Sequence, residues 1–392
     1  MRRLSYLHRV FITSSVLLKE VDATKTRTNN FLKKLNPVSK YISKNALLLA
    51  IVSVLIIVCL TIGLGLQRDK VTTPNPWTPS HYLAEPNNHL SFLANWDGKG
   101  YLSIAQHGYT PALTNYFPLY PLLTHLVNGI ISSPLYSGLL VSWASLIGAV
   151  YFYIKIIKRY FNIGDNVEAL KGIAIFLLYP TGIFLIASYT ESVFAFVSLA
   201  AIYSALKKRY LLSGLFALLA TAAHINGLLT LLLVALILYE EREKFLNIFQ
   251  TLVIGSLGII GYMIYLKVKF NNAIDFVTQQ RATHDWLQHT LLPELAHINP
   301  LEYFFVLLII LSAIYWWPRR KSFAIYSALY LLIPIIGGTF GGFTRYSLMV
   351  FPLQFMIFDI FRKKSLGYGL VLAILAIGWA YFTIGFSGGY IG

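Results

Sequence analysis

Asn45–Leu66, NALLLAIVSVLIIVCLTIGLGL, carries no charged residue. Coiled as a helix it is long enough to cross bilayer hydrocarbon, which takes roughly 17–25 apolar residues. The run shows no strand-like alternation. Lipid offers no partners for open amides, so a helix is dictated here and a barrel strand is not. Asn247–Leu266 is a second run of the same kind. Over all 392 residues, 56% are hydrophobic and 12% charged, against about 25% charged in ordinary soluble domains. The fold class is an all-α polytopic membrane protein.

Outward from the first run, residues 1–45 hold ten Lys and Arg against Glu20 and Asp22. They lack the short n-region and small-residue cleavage site of a signal peptide. A basic cytoplasmic tail is expected, either lying on anionic lipid or solvated. The rest, 46–392, reads as a single transmembrane domain. The net charge of +16 does not indicate nucleic acid, because the basic residues sit in short clusters beside apolar runs and no recognition motif accompanies them. Such clusters mark the cytoplasmic ends of membrane helices. They are Lys155–Arg159, Lys207–Arg209, Arg242–Lys244, Arg319–Lys321 and Arg362–Lys364.

Placing every cluster inside forces the segments between them to cross in pairs. Crossings are expected near 46–66, 135–157, 168–188, 191–206, 211–223, 226–239, 246–266, 301–317, 322–339, 346–361 and 366–386. That is about eleven helices, within a range of nine to thirteen, with residues 116–132 either re-entrant or interfacial. Lys267 and Lys269 fall outside, against the rule. The outer side then receives a first loop, 67–115, and a second, 268–300. The first opens with Pro74, Pro76, Pro79 and Pro86 as an extended spacer. One amphipathic helix is expected over Leu90–Gln106, with Leu93, Trp96, Gly100, Leu102 and Ala105 on its apolar face.

Chemistry is therefore sought on the outer side. In Asn95–Tyr109, NWDGKGYLSIAQHGY, Asp97 stands between the interface-favouring Trp96 and Tyr101. It is either a general base taking a proton from a hydroxyl or a turn acid of the Asp-Gly type. Phe117-Pro118-Leu119-Tyr120-Pro121 either lines a groove or starts a kinked helix. Glu191, in SYTES, either faces a wet cavity or sits in an exposed turn capped by Thr190 or Ser192. His224 and Asn226 are interhelical glue or part of a site. Arg345, among Gly337, Gly338, Gly341 and Gly342, is either a phosphate ligand or a snorkelling arginine. Gln280, Arg281, His284, Asp285 and Trp286 form a polar-aromatic loop, either an ordinary solvated one or one in which Trp286 stacks on a sugar ring. The single cysteine, Cys59, excludes a disulfide framework, and the nine histidines show no metal-ligand spacing. No metal and no cofactor is expected.

These motifs resemble the PIG-V (GPI mannosyltransferase 2) family and its prokaryotic relatives. Trp96–Tyr109 followed by FPLYPLL carries the likeness. YPTGIFLIASYTESVFA, HINGLL, AIDFVTQQ with a following Trp, and FTRYSLMVFP extend it from about Leu93 to Pro352. The resemblance implies a GT-C-type multi-helix bundle that moves mannose from a polyprenyl (dolichyl-type) phosphate donor to a lipid or glycan acceptor on the non-cytoplasmic face. It would sit in the cell membrane of a prokaryote or the endoplasmic reticulum of a eukaryote. It maps the catalytic acid onto Asp97. Substrate contacts are expected from Trp96, Lys99, Tyr101, Tyr120, Glu191, Asn226, Gln280, Arg281, Trp286 and Arg345. The competing reading, a transporter or lipid-linked-sugar flippase, predicts charges deep in several helices and an inverted repeat; the sequence shows few of the former and none of the latter.

Overall fold

The computed structural model describes residues 45–66, 88–164, 166–284, 300–333 and 342–388. Most of the basic tail, 67–87 of the first outer loop and 285–299 of the second lie outside the described residues. The chain divides into a unit over Met1–Leu49 and a unit over Ala50–Gly392, and the second contains the helical bundle.

Among the described residues there is no strand. In chain order the helices are α1 (Ala46–Gly65), α2 (Asp97–His107), α3 (Leu119–Ile131), α4 (Pro134–Tyr160) and α5 (Asn166–Leu177). After them come α6 (Glu191–Leu206), α7 (Tyr210–Ala223), α8 (Gly227–Glu240), α9 (Phe245–Phe270) and α10 (Asp275–His284). The last are α11 (Pro300–Trp316), α12 (Lys321–Tyr330), α13 (Phe343–Ser347), α14 (Phe351–Phe361) and α15 (Ser365–Gly388). Four of these, α1, α4, α9 and α15, are long and apolar enough to cross a membrane; α3, α6, α7, α8, α11 and α14 are apolar but shorter. The chain is thus an integral membrane protein in which, among the described residues, four helices reach full-span length and six apolar ones are shorter.

The shortfall has local causes. The crossing expected at 168–188 ends at Leu177, because Pro180 lacks an amide and its ring would clash with the preceding turn; a 3₁₀ turn over Gly182–Leu185 follows. The crossing at 346–361 is split in two, with Pro352 in the first turn of α14, where a missing amide costs nothing. Residues 211–239 form two helices of 14 residues each, about 21 Å long at 1.5 Å rise. Residues 116–132 give α3, whose Leu122, Leu126 and Ile130 make one exposed apolar stripe.

Close approach between α7 and α9 depends on small residues. A Cβ on Gly258 would lie 2.1 Å from the Leu218 carbonyl oxygen, and the Thr221 hydroxyl donates to the Gly255 carbonyl at 2.7 Å. Such pairs hold helices together in lipid, where burial alone gives no preference. Ser198 with Thr230, at 3.1 Å, and Ser312 with Ser327, at 3.0 Å, do the same elsewhere. Cys59 lies on the exposed face of α1.

The basic clusters gather at one end of the bundle. Arg320, before α12, pairs with Glu240 and Glu241 after α8. Arg362, after α14, pairs with Glu168 of α5, and Lys208 pairs with Glu243. Lys267 and Lys269 fall at the opposite end of α9, and their exception has a reason. They occupy its last turn, where cations complement the helix dipole, and Lys267 Nζ donates to the carbonyl and side chain of Asn271 at 3.1 and 2.8 Å.

Candidate active site

The single amphipathic helix expected over Leu90–Gln106 is two helices. A 3₁₀ turn over Ser91–Ala94 stops at Asn95, and Trp96 takes φ 57°, a left-handed conformation uncommon for a bulky side chain. Leu93, Gly100, Leu102 and Ala105 are all buried. The break puts Asp97 in the first turn of α2, where the helix dipole favours a carboxylate. The turn is held from several sides. Ser188 N–H donates to Leu93 O at 2.8 Å, Tyr189 OH to Asn95 O at 2.8 Å, and Asn95 Nδ2 to Phe386 O of α15 at 3.2 Å.

Arg345 is brought to the same place by α13. Gly342, just before it, has φ +76°, a backbone that a side chain would strain. The Thr344 carbonyl accepts from the hydroxyls of Thr181 and Ser347, and Tyr179 OH bonds Ser347 Oγ at 2.9 Å. These bonds tie α13 to the stretch leading into α6. Arg345 Nη1 donates to Asp97 Oδ2 at 2.5 Å, and its Nε donates to Glu191 Oε1. The guanidinium carbon lies 4.7 Å from the Tyr189 ring centre and 5.0 Å from that of Phe184. One cation therefore bridges two carboxylates that are 94 positions apart in the chain.

Glu191 is 4% exposed, and its Oε2 has no hydrogen-bond partner among the described residues. The exposed, capped turn is therefore ruled out. Thr190 gives α6 no side-chain cap and donates instead to Ala223 O at 3.0 Å. The snorkelling reading of Arg345 fails as well, since its side chain is 13% exposed and doubly ion-paired.

The remaining candidates fall at varying distance from this cluster. Tyr101 is buried, with its ring edge-on to Tyr116 at 4.8 Å and Tyr120 at 5.2 Å. Tyr120, expected among substrate contacts, is fully buried; its phenol donates to Gly138 O at 2.9 Å and shares a hydrogen bond with Ser142, so it belongs to the wall. Lys99 is half-buried in α2, burial lowers its pKa, and it forms no ion pair among the described residues. Asn226 precedes α8, and its backbone N–H donates to His224 Nδ1 at 3.0 Å. His224 lies in the turn between α7 and α8, its ring 6.0 Å from Tyr346 and 5.6 Å from Phe194. Burial first, then the nearby Arg345 charge, hold it well below its usual pKa, so the imidazole is neutral. Gln280 is part-exposed on α10. The side chain of Arg281 and the whole of Trp286 lie outside the described residues.

Tyr116 was not among the expected residues. Its phenol donates to Asp97 Oδ1 at 3.1 Å, so Tyr116 and Arg345 hold different oxygens of one carboxylate. Burial first, then the Asp97 charge, push this phenol well above its ordinary pKa and keep it a donor. Among the described residues no group of three or more His, Cys, Asp or Glu is arranged to hold a metal.

Comparison with known proteins adds a family. The model of the family described as Mannosyltransferase (PIG-V) matches residues 40–254, more than half of the chain. GPI alpha-1,6-mannosyltransferase 2 of Cricetulus griseus is 30% identical over 170 residues, covering 40% of this chain and 33% of that protein. The Mus musculus protein of the same name is 32% identical over 155 residues, covering 36% and 31%. GPI mannosyltransferase 2 of Yarrowia lipolytica is 29% identical over 164 residues, covering 41% and 44%. The matched stretch thus spans about a third of the two mammalian relatives. No solved structure matches. The family match includes Asp97 and Glu191 and stops short of Arg345.

Proposed function

This chain belongs to the PIG-V mannosyltransferase family, and on that premise we propose that it transfers a mannosyl residue from a polyprenyl-phosphate donor to a hydroxyl of a lipid or glycan acceptor, on the side of the membrane opposite the basic connections. The observation that carries this reading is the bridge Asp97–Arg345–Glu191, gathered at the end of the bundle away from those connections.

In the proposed step Asp97 takes the acceptor's proton as the acceptor oxygen forms its bond to the anomeric carbon. The bond from that carbon to phosphate breaks on the other face, inverting the centre and releasing polyprenyl phosphate. Phosphate is a good leaving group, so positioning and electrostatics can carry the step. A guanidinium has five N–H donors in a fixed fork. Arg345 uses Nε and one hydrogen of Nη1 on the two carboxylates, and among the described residues its Nη2 makes no hydrogen bond. That amino group is assigned to a donor phosphate oxygen. Lys99, two residues from Asp97, and Arg281 are the further cations assigned to it. Glu191 holds the guanidinium in register, and its free Oε2 is assigned to a sugar hydroxyl. Trp96, Tyr101, Asn226, Gln280 and Trp286 are assigned to the surrounding substrate surface.

Asp97→Asn tests the reading, because it removes the base and keeps the shape. In membranes containing equal amounts of folded protein, mannosyl transfer is expected to fall by about 10²–10⁴-fold, the usual contribution of a positioned base. Turnover near the native rate retires the assignment.

A further inference from the structure

Tyr116 stands in a loop between two helices, yet it is held more firmly than a connection requires. Its carbonyl accepts from Tyr109 OH at 2.8 Å and from Tyr262 OH of α9 at 3.2 Å. Tyr262 OH also donates to Thr114 O at 2.7 Å, and the Thr114 hydroxyl donates to Asp275 Oδ2 of α10 at 2.9 Å. Two phenols thus fix the backbone of 114–116, and a buried carboxylate fixes the Thr114 side chain. The ring is fixed as well, lying against α2 where Gly100 leaves space; a Cβ on Gly100 would come within 2.8 Å of it. The second glycine of the Trp96–Gly100 motif therefore has a physical reason, which is to admit this ring.

We propose that Tyr116 is a positioning residue for the transfer: its phenol fixes the Oδ1 side of Asp97 while Arg345 fixes the Oδ2 side, so that the proton-accepting carboxylate is held against rotation. The inference rests on the role of Asp97 given above. Carboxylate torsions are broad and about two-fold, so one ion pair leaves the group free to swing and two anchors on opposite oxygens do not. Donation to the charged form also lowers the basicity of the acid. The groups facing Asp97 besides Tyr116 are Arg345, Glu191, Tyr189, Tyr101 and His224, with Lys99 on its own helix.

Tyr116→Phe removes the hydroxyl and keeps the ring packing. The expected result is a fall in kcat of roughly tenfold, as for a small misplacement of a reacting group, with KM for donor and acceptor unchanged. The acid limb of the kcat/KM profile should move to higher pH, since a carboxylate that loses a donor is more easily protonated. Gly100→Ala keeps the hydroxyl but displaces the ring and should reproduce both changes; the double variant should be no worse than either single one. Tyr109→Phe, which removes a hydroxyl bonded to the Tyr116 carbonyl and leaves the Tyr116 phenol intact, should leave the acid limb in place. An unmoved acid limb in Tyr116→Phe, or a fall shared equally by kcat and KM, overturns the proposal. If Asp97→Asn stays active, the assigned base fails; if Asp97→Asn is dead and the Tyr116→Phe limb has not moved, only the present inference fails.

Discussion

The two ends of the bundle both carry ion pairs, and they are built on opposite plans. At the basic end, Lys208, Arg320 and Arg362 meet Glu243, Glu240, Glu241, Glu168 and Asp359 amid a surplus of further lysines and arginines. Arg320 and Arg362 are as enclosed as Arg345, 14% against 13% exposed, but with cations in surplus each of these carboxylates has its counterion. At the other end Arg345 likewise serves two carboxylates, but no surplus of cations surrounds them, Glu191 is 4% exposed, and its Oε2 is buried with no partner among the described residues. A buried excess of acid is expensive and does nothing for packing. Charge that is kept where it is costly points to chemistry.

The sharpest test applies one substitution at each end. Asp97→Asn should abolish most transfer, by the factor given above. Asp359→Asn removes an acid that accepts from Tyr315 OH at 2.6 Å and pairs with Arg362. It should leave transfer intact and lower stability by about 1–3 kcal/mol, the cost of disturbing a part-buried hydrogen-bonded group. Thermal unfolding in nanodiscs, run beside the transfer assay, separates the two. Similar losses of transfer from both variants would erase the distinction between the ends.

A smaller effect is expected from shortening the arginines. Lysine offers a point charge in place of a planar fork and cannot bridge two carboxylates with the same geometry. Arg345→Lys should therefore lower kcat by on the order of 10-fold or more. Arg320→Lys, in an equally enclosed bridge at the basic end, should lower stability by about 1–3 kcal/mol and leave kcat alone. Equal kcat in the two variants would mean that the fork at Arg345 does no more than join helices.

How far the sequence announces this difference depends on the residue. Asp97, Glu191 and Arg345 stand out because ionisable groups are rare in apolar sequence and demand an explanation. The basic clusters give the direction of the helices, and their gathering at one end agrees with that reading. The number of full spans is not legible, because Pro180 and Pro352 interrupt apolar runs that a hydropathy average treats as continuous. The break before Asp97 is hidden too: nothing in the letters NWDG says that Trp96 turns left-handed. Tyr116 is one of 26 tyrosines, 19 positions from the acid it contacts. Only the fold distinguishes it. The bridge to Arg345 spans 248 positions and lies beyond any local pattern.

The smallest expected effect sharpens the comparison through pH. His224 lies at the acid-rich end, in a turn, with its pKa held below the ordinary value by burial and by Arg345. The unfolded chain, with its histidine near 6.5, then binds the proton more readily than the native protein. Stability is complete above about pH 6.5 and is lost as pH falls below it, because protonation draws the chain toward the unfolded state. One proton taken up only by the unfolded chain over the single unit between pH 6.5 and 5.5 lowers stability by at most about 1 kcal/mol. His224→Asn keeps an acceptor for the Asn226 amide, which now bonds Nδ1 at 3.0 Å, and has nothing to protonate. Its unfolding temperature in nanodiscs should depend less on pH over that interval than that of the native protein. A slope identical in the two would mean that acid sensitivity does not arise at His224, and the electrostatic contrast between the ends would then rest on the carboxylates and Arg345 alone.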